Sequence, residues 1–203
     1  MCIVISAPSG AGKSSVTRAL LAKEDQLTVS VSVTTRAPRP GERDGVDYHF
    51  TSLADFEQLR DSGALLEHAE VFGRYYGTPR RKVLDALEGG TDVVFDIDWQ
   101  GWRQLKAALP DDAVGVFILP PSLNALRQRL HSRAGDSEAE IERRMRAAVA
   151  EISHWREFDH VVVNDELARC VEEIGAVLHA NRSATRRRLE LPGFVSRLVA
   201  EAP

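Results

Sequence analysis

A short apolar run, Cys2-Ile3-Val4-Ile5, leads straight into Ala7-Pro8-Ser9-Gly10-Ala11-Gly12-Lys13-Ser14, after which apolar residues recur at helical spacing from Ser14 to Lys23. The stretch fits the phosphate-binding pattern G-x-x-x-x-G-K-[ST] everywhere except its first position, where Ala7 replaces glycine. Strand, glycine-bearing loop and helix follow in the order the pattern demands. In such a loop successive backbone N–H groups face one concavity, and the helix that follows adds its positive N-terminal end. Gly10 and Gly12 permit that backbone path, Lys13 is placed to reach the β and γ phosphates, and the Ser14 hydroxyl is placed to meet a Mg²⁺ ion. A methyl at position 7 is accommodated if that residue keeps an ordinary negative φ. Residues Ala7 to Ser15 are therefore expected to bind a nucleoside triphosphate.

The remaining numbers narrow the class. A chain of 203 residues can bury one sizeable core, which predicts a single folding unit. A formal charge of −4 and a pI near 5.9 argue against non-specific nucleic-acid binding, which needs net basic surface. Cys2 and Cys170 lie far apart with no partners at metal-ligand spacing, and read as small buried apolar groups. With a strand read from residue 2, no leader is expected, and no apolar run is long enough to span a bilayer. A cytoplasmic protein is expected; the sequence assigns no oligomeric state.

Beyond the loop, strand-like and helix-like segments alternate, the sign of a parallel sheet flanked by helices. The strands expected are Ile3–Ser6, Leu27–Val33, Asp92–Ile97, Val114–Leu119 and His160–Val163. Between residues 35 and 90 the pattern changes to Pro, Gly and charge. There, short strands at Val46–Phe50 and Leu65–Phe72 surround a helix from Leu53 to Ser62, with Ser52 as N-cap and Gly63 as stop. This region reads as a small mixed lobe inserted into an α/β core made of residues 1–34 and 91–182. Ser137 and Glu140 form a capping box that predicts a long helix from Glu138 to Phe158. With the preceding helix, Ser122 to Ser132, it makes an arginine-bearing helical pair over roughly residues 123–157. That pair reads equally as a lid over a polyanion or as a solvated charged face. Another helix should run from Asn164 to about Asn181; the arginines of the tail, 183–203, read as a solvated helix surface rather than a nucleic-acid patch.

Three further clusters carry chemistry. Arg36, Arg39 and Arg43 crowd into a stretch stiffened by Pro38 and Pro40, near Tyr48; guanidinium groups fit phosphate oxygens bidentately, though a merely solvated loop fits as well. Asp96 and Asp98, two apart, would share a face of an extended strand at the ligand-bearing end of the sheet, where a cation would offset their repulsion. Glu67 lies in a strand-like run, with an exposed strand face as its plainer reading. His49, His68 and His131 read as packed or solvated, and Tyr75-Tyr76 before Gly77-Thr78-Pro79 reads equally as packing aromatics. The residues alone define a triphosphate-binding α/β protein with a second anion site.

The stretches APSGAGKSS, SVSVTTRAPRPGE, DGVDYHF, LLEHAEVFGRYYGTPR, VVFDIDWQG, RLHSRAGDSE and VVVND, in this order over residues 1 to 180, resemble the guanylate kinases. That resemblance implies transfer of the γ-phosphoryl of MgATP to GMP on a phosphate-loop core with a GMP-binding lobe and a helical lid. It implies that Arg36, Arg39, Tyr48 and Tyr76 hold the GMP phosphate, and that Ser32, Glu67, Thr78 and Asp96 read guanine. It also implies that Lys13, Arg133 and Arg144 neutralise the transferred phosphoryl and that Asp98 binds a water on Mg²⁺. Arg129 and Asn164 would face ATP, Asn164 near adenine. The chain departs from the family at Ala7 and at Ala134, where the lid more often has glycine; the second departure predicts a stiffer hinge.

Two other classes share the scaffold. Guanylate-kinase-like binding modules have damaged phosphate loops, whereas Gly12, Lys13 and Ser14 are intact here. A kinase for another phosphorylated acceptor has no base to read, yet Ser32, Glu67 and Thr78 are all present.

Overall fold

The computed structural model of the chain describes residues 1–71, 73–132 and 137–201. Its centre is β1 (Cys2–Ser6), buried along its whole length, which is what a run of β-branched residues requires when both faces of a strand are covered. Five strands pair in parallel in the order β2 (Leu27–Val29), β7 (Asp92–Asp96), β1, β8 (Ala113–Leu119) and β9 (His160–Val163). The period-two alternation of β1 splits the core. Ile3 and Ile5 join Val16, Leu20, Leu126, Leu130 and Ile174 on one face, while Cys2 and Val4 join Val93, Phe95, Trp102 and Phe158 on the other. Both cysteines are buried and unbridged.

The first face carries α1 (Lys13–Leu21), α5 (Leu123–His131), α6 (Glu138–Ile152) and α7 (Leu167–Arg182); the second carries α3 (Arg80–Glu88) and α4 (Trp99–Ala108). Trp102 reaches across the second face because β8 offers Gly115 there: a Cβ at that position would lie 2.6 Å from the indole. The indole N–H donates to Glu157 O at 2.8 Å.

A second, mixed sheet has the order β4 (His49–Phe50), β3 (Val33–Thr34), β6 (Arg74–Pro79), β5 (Leu65–Val71). Phe56, from α2 (Leu53–Asp61), fills it against Val33, Leu65 and Tyr75. Ser52 caps α2 as expected, its hydroxyl accepting from Asp55 N at 3.1 Å.

Three differences from the sequence reading reshape the lobe and the helical pair. The single strand expected over Leu27–Val33 is two strands in two sheets. Ser30 N still donates to Val94 O at 2.9 Å, but Ser32 O accepts from His49 N at 2.8 Å, so the chain changes sheet between them. The strand expected from Val46 is confined to His49–Phe50, since Gly45 at φ 74 and an Arg43–Asp47 turn occupy the preceding residues. The helix expected to reach Phe158 stops at Ile152, followed by a 3₁₀ turn over Trp155–Glu157. There His154 stacks on Trp99 at 3.8 Å between ring centroids, and Phe158 turns into the core.

The tail forms a 3₁₀ turn and α8 (Leu191–Ala200). Two of its arginines meet acids of the chain: Arg187 pairs with Asp112 and Arg188 with Glu190, while Arg182 at the end of α7 pairs with Glu24 and Asp92. No described helix is long and apolar enough to cross a membrane.

Candidate active site

The loop between β1 and α1 has the backbone its glycines predict. Gly10 and Gly12 sit at φ 92 and 101, a region closed to most side chains, and Gly12 leads directly into Lys13, the first residue of α1. Ala7, where the pattern has glycine, is half-buried and packs its methyl against the core. The underside of the loop is braced from far along the chain. Asn164, buried just past β9, donates from Nδ2 to Ala11 O at 2.7 Å, and Arg129 on α5 donates to Ala11 O at 3.3 Å and to Asn164 O at 2.9 Å. A Cβ at Gly12 would lie 2.4 Å from that amide nitrogen, so glycine is required there for packing as well as for φ. Arg129 and Asn164, expected to face the nucleotide, therefore bond the loop in this structure.

At the carboxyl end of β7, Asp96 faces the loop. Its carboxylate pairs with Lys13 Nζ at 2.5 Å and accepts from Ser14 Oγ at 3.1 Å, while Lys13 also donates to Ile97 O at 3.2 Å. Burial alone would lower the lysine pKa, but Asp96 more than compensates and holds it above its usual value, fully charged at neutral pH. Asp98 does not share a strand face with Asp96. The strand ends at Asp96, and Asp98 is the N-cap of α4, accepting from Gln100 N and Gly101 N, both at 3.0 Å. A carboxylate preceding a helix takes the unsatisfied amides of its first turn, and that preference overrides the alternation.

Across the cleft, Glu67 on β5 is 3% exposed. Its Oε1 accepts from the Thr78 hydroxyl at 2.7 Å, and burial pushes its carboxyl up to about 7. Leu65, Leu66 and Glu67 are buried in succession because the pairing of β5 with β6 slips between Leu65 and Glu67, a bulge that turns the glutamate inward. Nearby, Tyr48 and Tyr76 meet edge to face at 6.0 Å, and the Arg36 guanidinium lies 5.2 Å from the Tyr48 ring centre. Glu42 organises this corner: it accepts from Arg36 Nη2 at 2.8 Å and from Arg39 N at 2.7 Å.

One cleft of about 1090 Å³, counted out to open solvent, is lined by the loop residues Ala7, Pro8, Ser9, Gly10, Gly12, Lys13 and Ser14 together with Asp96 and Asp98. Ser32, Tyr48, Glu67 and Tyr76 line it from the lobe. Ser15 is exposed on α1, Ala11 and Thr78 are buried behind the lining, and Arg39 is exposed and does not line the cleft. Arg36 borders a neighbouring depression on the lobe. Arg144, on α6, donates to Glu140 at 3.1 Å, and Arg143 and Arg144 together pull that carboxyl down to about 2. Arg133 and Ala134 lie outside the described residues.

Sequence reasoning missed two acids. Glu42 stands in the arginine cluster, where an acid at this spacing was the only signal. Glu151 projects from α6 into the cleft and accepts from Ser9 N at 3.3 Å; burial raises its carboxyl, with Lys13 opposing. No local pattern marks it, because its partner is 142 residues away.

A phosphate loop at the end of the central strand faces a buried carboxylate, Glu67, across one cleft, at the end of the sheet where α/β folds hold ligands. The layout is that of a phosphate-loop kinase. The guanylate kinase family model matches residues 1–181. The chain is 58% identical to the guanylate kinase of Gluconobacter oxydans over 97% of its own length and 94% of that protein's. It is 53% identical to that of Rhodospirillum rubrum, over 98% and 91% respectively. The crystal structure of guanylate kinase from Anaplasma phagocytophilum superposes with a TM-score of 0.82 at 34% identity, covering 97% of this chain and 94% of that one. The chain belongs to the guanylate kinase family.

Proposed function

We propose that the protein transfers the γ-phosphoryl of ATP to GMP, giving ADP and GDP, and to dGMP, giving ADP and dGDP, in cytoplasmic purine-nucleotide turnover. The observation that carries the acceptor is Glu67: a buried carboxylate, oriented by Thr78, opposite an intact phosphate loop in the same cleft. A carboxylate there accepts from both N1–H and the 2-amino group of guanine, a pair of donors that adenine lacks. Ser32 and Asp96 complete the base-reading group, and Arg36, Arg39, Tyr48 and Tyr76 hold the acceptor phosphate, with Glu42 fixing the Arg36 fork.

On the donor side the loop amides cradle the β and γ phosphates, and Lys13 leaves Asp96 to neutralise the transferred group. Arg133 and Arg144 add charge from the helical pair. Arg129 and Asn164 act on ATP through the shape of the loop, by the Ala11 carbonyl they hold. Phosphoryl transfer asks for positioning and electrostatic stabilisation, so no covalent nucleophile is required.

Among the described residues no cluster of three or more His, Cys, Asp or Glu could hold a metal by itself. The Ser14 hydroxyl beside Asp96 and Asp98 is instead a set of hard oxygens, which suits a Mg²⁺ whose remaining ligands come from water and phosphate. When bound with ATP, the ion supplies charge neutralisation; Ser14 would ligate it directly and Asp98 through water.

The pH dependence follows from Glu67. Only the ionised carboxyl accepts two donors, and in the folded protein it ionises near 7. GMP binding is fully supported above that value and weakens by up to about tenfold per pH unit below it. GDP formation from MgATP and GMP, followed on both sides of neutrality, should therefore yield equimolar ADP and show KM for GMP rising in acid. The GMP phosphate titrates nearby, so Glu67→Gln is the control: the part of the slope owed to the carboxyl disappears in it. Absence of GDP at every pH contradicts the assignment, and an unchanged slope in Glu67→Gln contradicts the role of the carboxyl.

A further inference from the structure

Gly101 sits inside α4, where glycine weakens a helix relative to alanine. Its backbone is not left-handed, and its N–H bond to Asp98 Oδ1, 3.0 Å long, is one that any residue but proline supplies. Neither conformation nor capping calls for glycine. The reason lies across the helix–strand interface: a Cβ at this position would stand 2.5 Å from Glu67 Oε2 and 3.2 Å from Glu67 Cδ. We propose that Gly101 is a positioning residue that determines base specificity, by withholding a side chain so that the Glu67 carboxylate lies against the first turn of α4 in its guanine-reading orientation.

The contact cannot be relieved by separating the two elements. One turn along the same face, Gln104 clamps α4 to β5, donating from Nε2 to His68 O at 2.6 Å and accepting from His68 N at 3.1 Å. What yields to a methyl is the carboxylate, the far end of a flexible side chain, together with Ile97 Cδ1 at 3.0 Å. The fold therefore tolerates the change, while Glu67 loses its alignment with Thr78 and with two parallel donors, a geometry that must hold to within about 0.5 Å. The inference rests on the reading of Glu67 as the guanine acceptor.

The test compares the full-length protein with Gly101→Ala, Glu67→Ala and the double variant, measuring kcat/KM for GMP, KM for ATP and Tm. Gly101→Ala is expected to lower kcat/KM for GMP by about tenfold or more, leaving KM for ATP unchanged and Tm equal or higher. In the Glu67→Ala background it should cost nothing further and raise Tm by more than in the wild type, because the obstructing carboxylate is gone. The proposal is overturned by wild-type GMP use in Gly101→Ala, by losses that multiply in the double variant, or by a fall in Tm with equal losses for both substrates. A damaging Glu67→Ala beside a silent Gly101→Ala overturns the proposal alone; a harmless Glu67→Ala removes the guanine reading and the proposal with it.

Discussion

Replacing Lys13 by alanine is expected to lower kcat by on the order of 10²–10³-fold, the loss typical of removing one preorganised charge from a transition state. The amine is already aimed: it bridges the Asp96 carboxylate and the Ile97 carbonyl at the mouth of the loop, and its charge is secured there. Its loss leaves Asp96, itself partly exposed, with the Ser14 hydroxyl as a remaining partner, so Tm is expected to move little. A collapse of turnover at constant Tm places Lys13 in the chemistry. Near-normal turnover contradicts that placement, and a parallel collapse of Tm makes the lysine structural.

The second large effect is expected at Glu67. Glutamine keeps the size of the side chain and can still accept from Thr78, but it loses the charge that strengthens both bonds to guanine. Charge-assisted hydrogen bonds contribute about 1.5–3 kcal/mol, which predicts a rise in KM for GMP of roughly 10- to 150-fold with KM for ATP unchanged. Steady-state kinetics with each substrate varied separately reads the difference. Equal losses for GMP and ATP would mean that the glutamate supports the cleft rather than the base.

These two residues also mark how far the sequence could be read. Lys13 was legible because the phosphate loop is a local pattern: strand, glycines, lysine and helix lie within about twenty residues, and each has its own physical reason. The parallel core was legible through alternation, and the caps at Ser52 and Ser137 through their spacing. Read from its own strand Glu67 was an exposed-face residue, and the family resemblance alone marked it as a guanine reader. Its burial depends on a bulge against β6 and on the missing side chain of Gly101, and neither leaves a periodic trace in β5.

The boundary at Ser30–Ser32 was hidden for a related reason. The alternation Thr-Val-Ser-Val-Ser-Val continues unbroken while the chain passes from one sheet to the other, so periodicity reports a single strand where hydrogen bonds report two. Asn164, Arg129 and Glu151 act on the loop from 118 to 153 residues away. The family resemblance implied that two of them face the nucleotide; the fold puts their side chains on the loop. Asp98 misled because a strand-end carboxylate and a helix N-cap look alike until the strand's last residue is known.

One cleft joins the phosphate loop to the buried Glu67 carboxylate, proposed here to read guanine. The most direct measurement is ADP release from MgATP in the presence of GMP, AMP, CMP or UMP, with a control lacking any acceptor. Guanine reading by Glu67 predicts rapid turnover with GMP, little with the other three and none in the control. Comparable turnover with AMP, or no turnover with any acceptor by a protein that still binds ATP, contradicts it.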